Sequence, residues 1–350
     1  MKPLSFNRPV LFRLRSIGDT VLMTPLLSAL KAWRPDLPIA VVTEPLSAPI
    51  LEPHPLVDEL IVIPRARRGL AGFRERLQVA RRLRASRFDA AFNVHGGTTA
   101  AWLMWLAGIP QRIGYPLPST RWLLTQAAPP PSELWGKPAI HCVEQQLGLL
   151  KAVGVPVPSP PPRSKLYCDP KARAAVTARL RRAGARGAYA VVHPAAAFES
   201  KQWAASHFAE IIAYLARRGL PSAVVVGPGE ASIAEAVRRS LPSQHGAVFF
   251  TDLPLSETMA IIAGSAFFVG NDSGPAHIAA AFGRPLVVIF GSSNDAVWSP
   301  WTSAPHRVAR RQLPCAPCAG STCHAFPAPE CIRRVTVDEV KAAIEAVLGG

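Results

Sequence analysis

Residues 266–291 read AFFVGNDSGPAHIAAAFGRPLVVIFG, and three kinds of segment follow one another in them. Ala266–Val269 is an apolar run of strand length, the residues after Gly274 form a helix-like run that Gly283 closes, and Leu286–Phe290 is a second strand-like run. Strand, helix and strand in this order are the pattern of a crossover unit in a parallel sheet. The turn Asp272–Gly274 therefore sits at a helix N-terminus, where free backbone N–H groups meet the positive end of the helix dipole. Such a terminus suits a phosphate, and here Ser273 adds a hydroxyl while Gly274 lets a ligand come close to the backbone. An ordinary Asp or Ser N-cap followed by Pro275 fits the same residues, so the turn alone leaves both readings open.

A second junction of this kind lies near the start of the chain. Val10–Leu14 reads as a strand, and Arg15-Ser16-Ile17-Gly18-Asp19-Thr20 leads into Val21, Leu22, Leu26, Leu27 and Leu30 at helical spacing. Pro25 fits only if that helix begins late or irregularly. Gly18-Asp19 marks the turn, with neither G-x-G-x-x-G nor G-x-x-x-x-G-K-[ST] present. Further strands are expected at Ile39–Thr43, Leu60–Ile63 and Phe88–Val94, and again at Tyr189–His193, Ala223–Gly227 and Ala247–Phe250, with helical stretches between them. Residues 155–162, Val-Pro-Val-Pro-Ser-Pro-Pro-Pro, are too proline-rich for a helix or sheet interior and read as a semi-rigid linker. The expectation is two α/β domains, 1–162 and 163–335, each a doubly wound parallel sheet, followed by a terminal helical segment, 336–350. A cleft between them is expected to hold ligand at the carboxyl ends of the strands.

Taken together, the two junctions resemble those of the family 9 glycosyltransferases, best known as lipopolysaccharide heptosyltransferases. RLRSIGDTVLMTPLLSALK at 13–31 is similar to the family's N-terminal motif, and GNDSGPAHIAAAFGRPLVVIFG at 270–291 to its C-terminal one. His193-Pro194 with Lys201, Trp203 and Phe208 resembles the middle signature, and residues 315–340 resemble the tail. The resemblance implies the GT-B fold, two Rossmann-like domains facing a central cleft, with the acceptor on the first and the nucleotide on the second. It also implies that the terminal helix packs back across the first domain, as in many proteins of this fold. The activity implied is inverting transfer of a heptose, from ADP-heptose, to a lipopolysaccharide core acceptor, with no metal required.

Glycosyl transfer needs a base for the acceptor hydroxyl and positive or hydrogen-bonding groups for the departing diphosphate. Asp19, at the carboxyl end of the first strand, is the candidate base, and the resemblance gives it that role; alone it would read as an N-cap. Lys201, in the loop after His193-Pro194, is a point charge suited to phosphate, which an unrelated loop lysine would lend only to water. Ahead of it the family often has small or hydroxyl residues; Ala195-Ala196-Ala197 leaves only backbone N–H groups for that task. By the same resemblance Ser273 and Gly274 bind diphosphate, and Asp272 holds sugar hydroxyls or orients Lys201, since two negative charges repel. His277, one helical turn beyond Ser273, touches phosphate or supports the loop. Glu230 corresponds to the family's ribose-binding carboxylate, and the backbone near Leu253 to its contact with adenine.

The chain has 350 residues, 49% of them hydrophobic, and a net charge of +16, which calls for an anionic partner. No apolar run approaches the roughly 20 residues of a membrane span, and no signal-peptide pattern opens the chain, so a cytoplasmic location is expected. Nine arginines against one acid, Glu75, occupy 65–87, with Leu70, Phe73, Leu77, Val79, Ala80 and Leu83 interleaved at helical spacing. This reads as an amphipathic helix whose basic face meets the inner surface of the cytoplasmic membrane, or as an arginine-rich helix facing water. No nucleic-acid-binding motif accompanies the charge. Cys315, Cys318, Cys323 and Cys331, spaced C-x2-C-x4-C-x7-C, leave open a structural zinc, an iron–sulfur group, disulfides or reduced thiols. Cys142 and Cys168 read as small buried hydrophobes. Two other functions fit the same framework: transfer of another sugar or to another acceptor, and non-catalytic binding of a sugar nucleotide or anionic lipid.

Overall fold

A computed structural model describes residues 4–65, 69–185, 187–243, 245–318 and 322–349. The chain divides into two compact units, Met1–Ser164 and Lys165–Gly350, and residues 155–169 around the division form neither helix nor strand.

The first unit holds six strands: β1 (Pro9–Phe12), β2 (Ala40–Thr43), β3 (Glu59–Val62), β4 (Ala90–Phe92), β5 (Gln111–Gly114) and β6 (Gln126–Ala127). All pair in parallel, in the order β3-β2-β1-β4-β5-β6. Central strands covered by helices on both faces need apolar residues at every position, and β1, β2 and β4 are buried throughout. Val10, Phe12, Val42, Ile61 and Leu83 share one core cluster with Leu103 and Met104. The helix after β1 breaks at Leu22-Met23 into Ile17–Val21 and Thr24–Trp33, which places Pro25 in a first turn where its missing N–H has no partner to lose.

The second unit repeats the design with β7 (Ala190–His193), β8 (Ser222–Val225), β9 (Ala247–Phe250), β10 (Phe267–Asn271), β11 (Leu286–Phe290) and β12 (His306–Arg310). Its order, β9-β8-β7-β10-β11-β12, is again 3-2-1-4-5-6 counted within the unit. The nine strands expected from sequence are all present, with ends shifted by a residue or two. The three others escape an apolar-run criterion: β5 (Gln-Arg-Ile-Gly) is half polar, β6 has two residues, and the edge strand β12 (His-Arg-Val-Ala-Arg) has one fully buried position.

Within the second unit the terminal helix, Val337–Leu348, packs on β11, β12 and the helix Ala205–Arg217. Val337, Val340, Ile344 and Val347 recur on one face and enter the same core cluster as Val287, Ile289 and Phe208. Thr336 and Glu339 close the helix start with a capping box. Ile344→Ala should therefore lower the stability of the second unit by about 2–5 kcal/mol in chemical denaturation; an unchanged midpoint would place the helix outside that core.

Candidate active site

In each sheet the strand order reverses once, between β1 and β4 and between β7 and β10, and the loops leaving those strands diverge to open a crevice at the carboxyl edge. Of the sequence-predicted residues, Asp19, Lys201 and the Asp272–Gly274 turn lie at these two points, while Glu230 and Leu253 follow β8 and β9 along the same edge. In the first unit Asp19 lies in the short helix after β1, with Gly18 buried beside it. Arg13, itself buried, donates from Nη1 to the Val94 carbonyl after β4 (2.9 Å) and pairs through Nη2 with Asp19 Oδ1 at 2.5 Å. One guanidinium thus spans the switch point and fixes the carboxylate. Ser16 Oγ donates to Asp19 Oδ2 at 2.8 Å, and the Cys142 thiol lies 3.9 Å from Oδ1. Burial pushes that thiol up to about 12, with the Asp19 charge adding to the effect, so it remains protonated. His95, after β4, is held below the usual histidine range by burial and by Arg13 and Arg15, and is neutral at pH 7. Asp19 does not act as the N-cap; Ser16 occupies that place. With its side chain 23% exposed against 6% for Arg13, Asp19 retains an open flank on which to accept a proton.

The second unit joins three loops. Lys201 ends a 3-10 turn, Glu199–Lys201, and its Nζ lies 2.9 Å from Asp272 Oδ2, which also accepts from Ser293 Oγ at 2.5 Å. Asn271, fully buried, donates from Nδ2 to the Pro194 carbonyl (2.8 Å) and accepts from Trp203 N (3.2 Å), so one side chain stitches the end of β10 to both ends of the lysine loop. The loop is clamped from its other side by Ser200 and Ser292, whose hydroxyls are 2.9 Å apart, and by Ser292 N donating to the Ser200 carbonyl. A Cβ at Gly291 would collide with that carbonyl oxygen, which is why the strand ends in glycine.

Ser273 is the N-cap of the helix Gly274–Ala281, yet its hydroxyl donates to the Asn271 carbonyl at 3.1 Å and caps no N–H. The ordinary capping reading therefore fails, and the first-turn N–H groups receive no side-chain oxygen at this cap. His277 is buried one turn along. Ala195 and Ala196 are buried, and Gln202 Nε2 donates to the Ala196 carbonyl at 2.7 Å, bracing the triple-alanine stretch. Glu230 follows β8; its Oε2 accepts from Gly227 N at 2.7 Å, so one oxygen serves its own turn and Oε1 remains. Leu253 follows β9 and is buried.

The four clustered cysteines line a cavity of about 270 Å³ together with Ser200, Ser292 and Phe326. All are free thiols, so the disulfide alternative is not realised, and burial raises Cys331. Among the described residues no three His, Cys, Asp or Glu side chains are grouped to hold an ion. Sequence reasoning missed Arg13, His95, Asn271, Gly291 and Ser293. Arg13 had a legible signal: a charge between Phe12 and Leu14 at a strand end needs a buried acid.

Two parallel sheets of this order, each with its polar residues at the switch point, make the GT-B architecture. The chain belongs to glycosyltransferase family 9 (heptosyltransferase), whose model matches residues 76–328. It is 27% identical over 304 residues to lipopolysaccharide heptosyltransferase 3 of Escherichia coli, covering 83% of this chain and 85% of that one. Among solved structures, the family 9 glycosyl transferase of Veillonella parvula superposes with a TM-score of 0.84 at 20% identity, covering 99% of both chains. The E. coli ADP-heptose LPS heptosyltransferase II superposes with a TM-score of 0.80 at 21% identity, covering 97% of this chain and 98% of that one.

Because Gly291 admits the Ser200 carbonyl, Gly291→Ala must push the lysine loop away from Asp272. Transfer should fall by about a hundredfold, the scale of a 1 Å misplacement, while the circular dichroism spectrum stays native. Wild-type kinetics would show that the clamp does not set the position of Lys201.

Proposed function

We propose that this glycosyltransferase moves a heptose from ADP-heptose to the core of a lipopolysaccharide acceptor at the inner face of the cytoplasmic membrane, with inversion at the anomeric carbon. The observation that carries the reading is the order of residues along the carboxyl edge of the second sheet. Leu253, Glu230, Lys201 and Asp272 follow β9, β8, β7 and β10, which are neighbours in that order. Three strand spacings of about 4.8 Å span about 14 Å, room for base, ribose and diphosphate in series. The Leu253 backbone then meets adenine, Glu230 Oε1 the ribose hydroxyls, and Lys201 with Ser273 and the Gly274 N–H the diphosphate. Heptose and lipopolysaccharide are supported by the names of the relatives, which act on them.

In the reaction the acceptor hydroxyl gives its proton to Asp19 while its oxygen attacks the anomeric carbon from the face opposite ADP. The bond from that carbon to the phosphate oxygen breaks, and both electrons leave with ADP. Negative charge grows on the diphosphate, where Lys201 and the helix N-terminus meet it. Asp272 would repel the anion as a direct ligand, and its part is to hold Lys201 in place, as the 2.9 Å pair supports. Ser293 shares that carboxylate oxygen and leaves the ammonium two further donors.

Asp19→Asn keeps the shape of the side chain and removes the base. Transfer to a core acceptor, followed by mass spectrometry, should drop by about 10²–10⁴-fold while donor affinity by calorimetry stays at the wild-type value; activity within about tenfold of wild type would remove Asp19 from the mechanism. Lys201→Ala should both slow turnover and weaken donor binding, since the charge is met by bound donor and leaving group alike. A protein that transfers a different sugar in these assays would overturn the donor assignment.

The positive charge at the diphosphate is supplied by protein groups, so we propose that no metal takes part. Transfer should persist in excess chelator. Loss of activity restored by magnesium or manganese would contradict the site as drawn.

A further inference from the structure

The first unit carries an aromatic ridge that the transfer chemistry does not use. Trp102 and Trp105, three residues apart on the helix Thr98–Leu106, meet Trp122 of the turn Arg121–Leu123 edge to face, with ring centroids 5.4–5.8 Å apart. All three are open to solvent, at 40%, 41% and 59%. Indoles of this size normally enter a core, yet these meet one another at the surface while Leu103 and Met104, between two of them in sequence, fill the interior. None of their N–H groups is bonded among the described residues.

The basic helix Gly69–Ala85 packs beside this ridge. Ala80 and Leu83 anchor it in the core, and Arg84 reaches the ridge itself, donating to the carbonyls of Leu106 and Ala107 at 3.2 and 3.3 Å. Arg81 lies one turn before Arg84 on the same face. Phe73, expected on the apolar face, is instead 57% exposed on that stripe. Arg74, Arg76, Arg81, Arg82 and Arg121 form no ion pair among the described residues, so their charge is not neutralised by the protein. Arg67 and Arg68 lie outside the described residues.

We propose that the Trp102–Trp105–Trp122 ridge and the arginines beside it are the surface by which this enzyme docks on an anionic lipid bilayer. Indole suits the headgroup layer, where its ring meets acyl chains and its N–H meets carbonyl or phosphate oxygens. Unpaired arginines meet the negative leaflet around it, and Phe73 extends the apolar contact. A bilayer satisfies a convex apolar ridge with a cationic margin without needing a complementary pocket. The ridge brings the protein to a lipid-linked acceptor, so the inference rests on the proposed acceptor class.

Vesicle flotation without donor or acceptor tests the surface separately from the chemistry. Wild-type protein should bind vesicles of phosphatidylcholine with 30 mol% phosphatidylglycerol, and bind phosphatidylcholine alone weakly. Changing Trp102, Trp105 and Trp122 together to Ala should reduce binding at least about tenfold, and R81Q/R84Q should reduce it less and flatten its salt dependence. Turnover of a delipidated core oligosaccharide should stay at the wild-type value in both variants. Wild-type fluorescence provides a second reading independent of how the triple variant folds: bromines on the acyl chains should quench it in anionic vesicles. Flotation unchanged by the substitutions, absence of quenching, or a change in sedimentation from oligomer to monomer with no change in flotation would overturn the proposal, the last in favour of a second protein chain on the ridge.

Discussion

Every strand in both sheets runs parallel to its neighbours, so all strands of a unit end on one edge and each must be followed by a crossover. Polar loops, helix N-termini and unpaired carbonyls therefore collect on that edge, while the helices bury both faces. Where the strand order reverses, adjacent strands send their crossovers to opposite faces, and the crevice left between them has nothing apolar to fill it. In the first unit Arg13, after β1, holds Asp19 of the same crossover and reaches the Val94 carbonyl after β4, and in the second Lys201, after β7, meets Asp272, after β10. The reversal is thus the constraint from which both candidate sites follow, and each unit sets a cation paired with a carboxylate at it.

Such pairs are not cheap ways of holding a fold together. A charge taken out of water loses hydration that its partner only partly returns, and removing one member of a largely buried pair costs about 3–5 kcal/mol because the other is left uncompensated. Stability alone would favour apolar residues at these positions. Their cost is instead offset locally by neutral partners: the donors Ser16 on Asp19 and Ser293 on Asp272, and the accepting Val94 carbonyl on Arg13. The carboxylates end up oriented, with their charge retained. Glu230 follows the same economy on a smaller scale, spending one oxygen on its own turn and keeping the other.

How much of this was legible depends on how locally each feature is encoded. The nine strands read from sequence are runs of apolar residues, and their period survives any tertiary context. β5, β6 and β12 are specified by pairing with a neighbour already in place, so their own residues carry little signal. Asp19, Lys201 and the Asp272–Gly274 turn stood out through the family motifs that hold them, since by themselves the turns fit an ordinary N-cap and the lysine a solvated loop equally well. Asn271 and Gly291 were not: each matters through contacts with residues 77 and 91 positions away, Pro194 and Ser200. The terminal helix showed its amphipathic period but not its partner, since Val340 and Ile344 suit any apolar groove. The aromatic ridge was hidden for the opposite reason. Two tryptophans in an apolar run read as core, and only the packing of Leu103 and Met104 beneath them turns them outward.

The two cations differ in kind, and the difference fits their surroundings. Arg13 is a planar fork with donors at fixed angles, and it uses two of its nitrogens on two partners from different strands, which a lysine at this place would not match. It braces Asp19 from a buried position. Lys201 ends a flexible stem, is a quarter exposed, and meets Asp272 with one of three rotatable donors. Its loop is held by Asn271, Ser200 and Ser292 through hydrogen bonds on both sides. In the mechanism proposed for this enzyme Arg13 fixes the base and Lys201 is the mobile charge, a division that suits glycosyl transfer because the attacking hydroxyl approaches along one line while the charge on the departing diphosphate spreads over several oxygens.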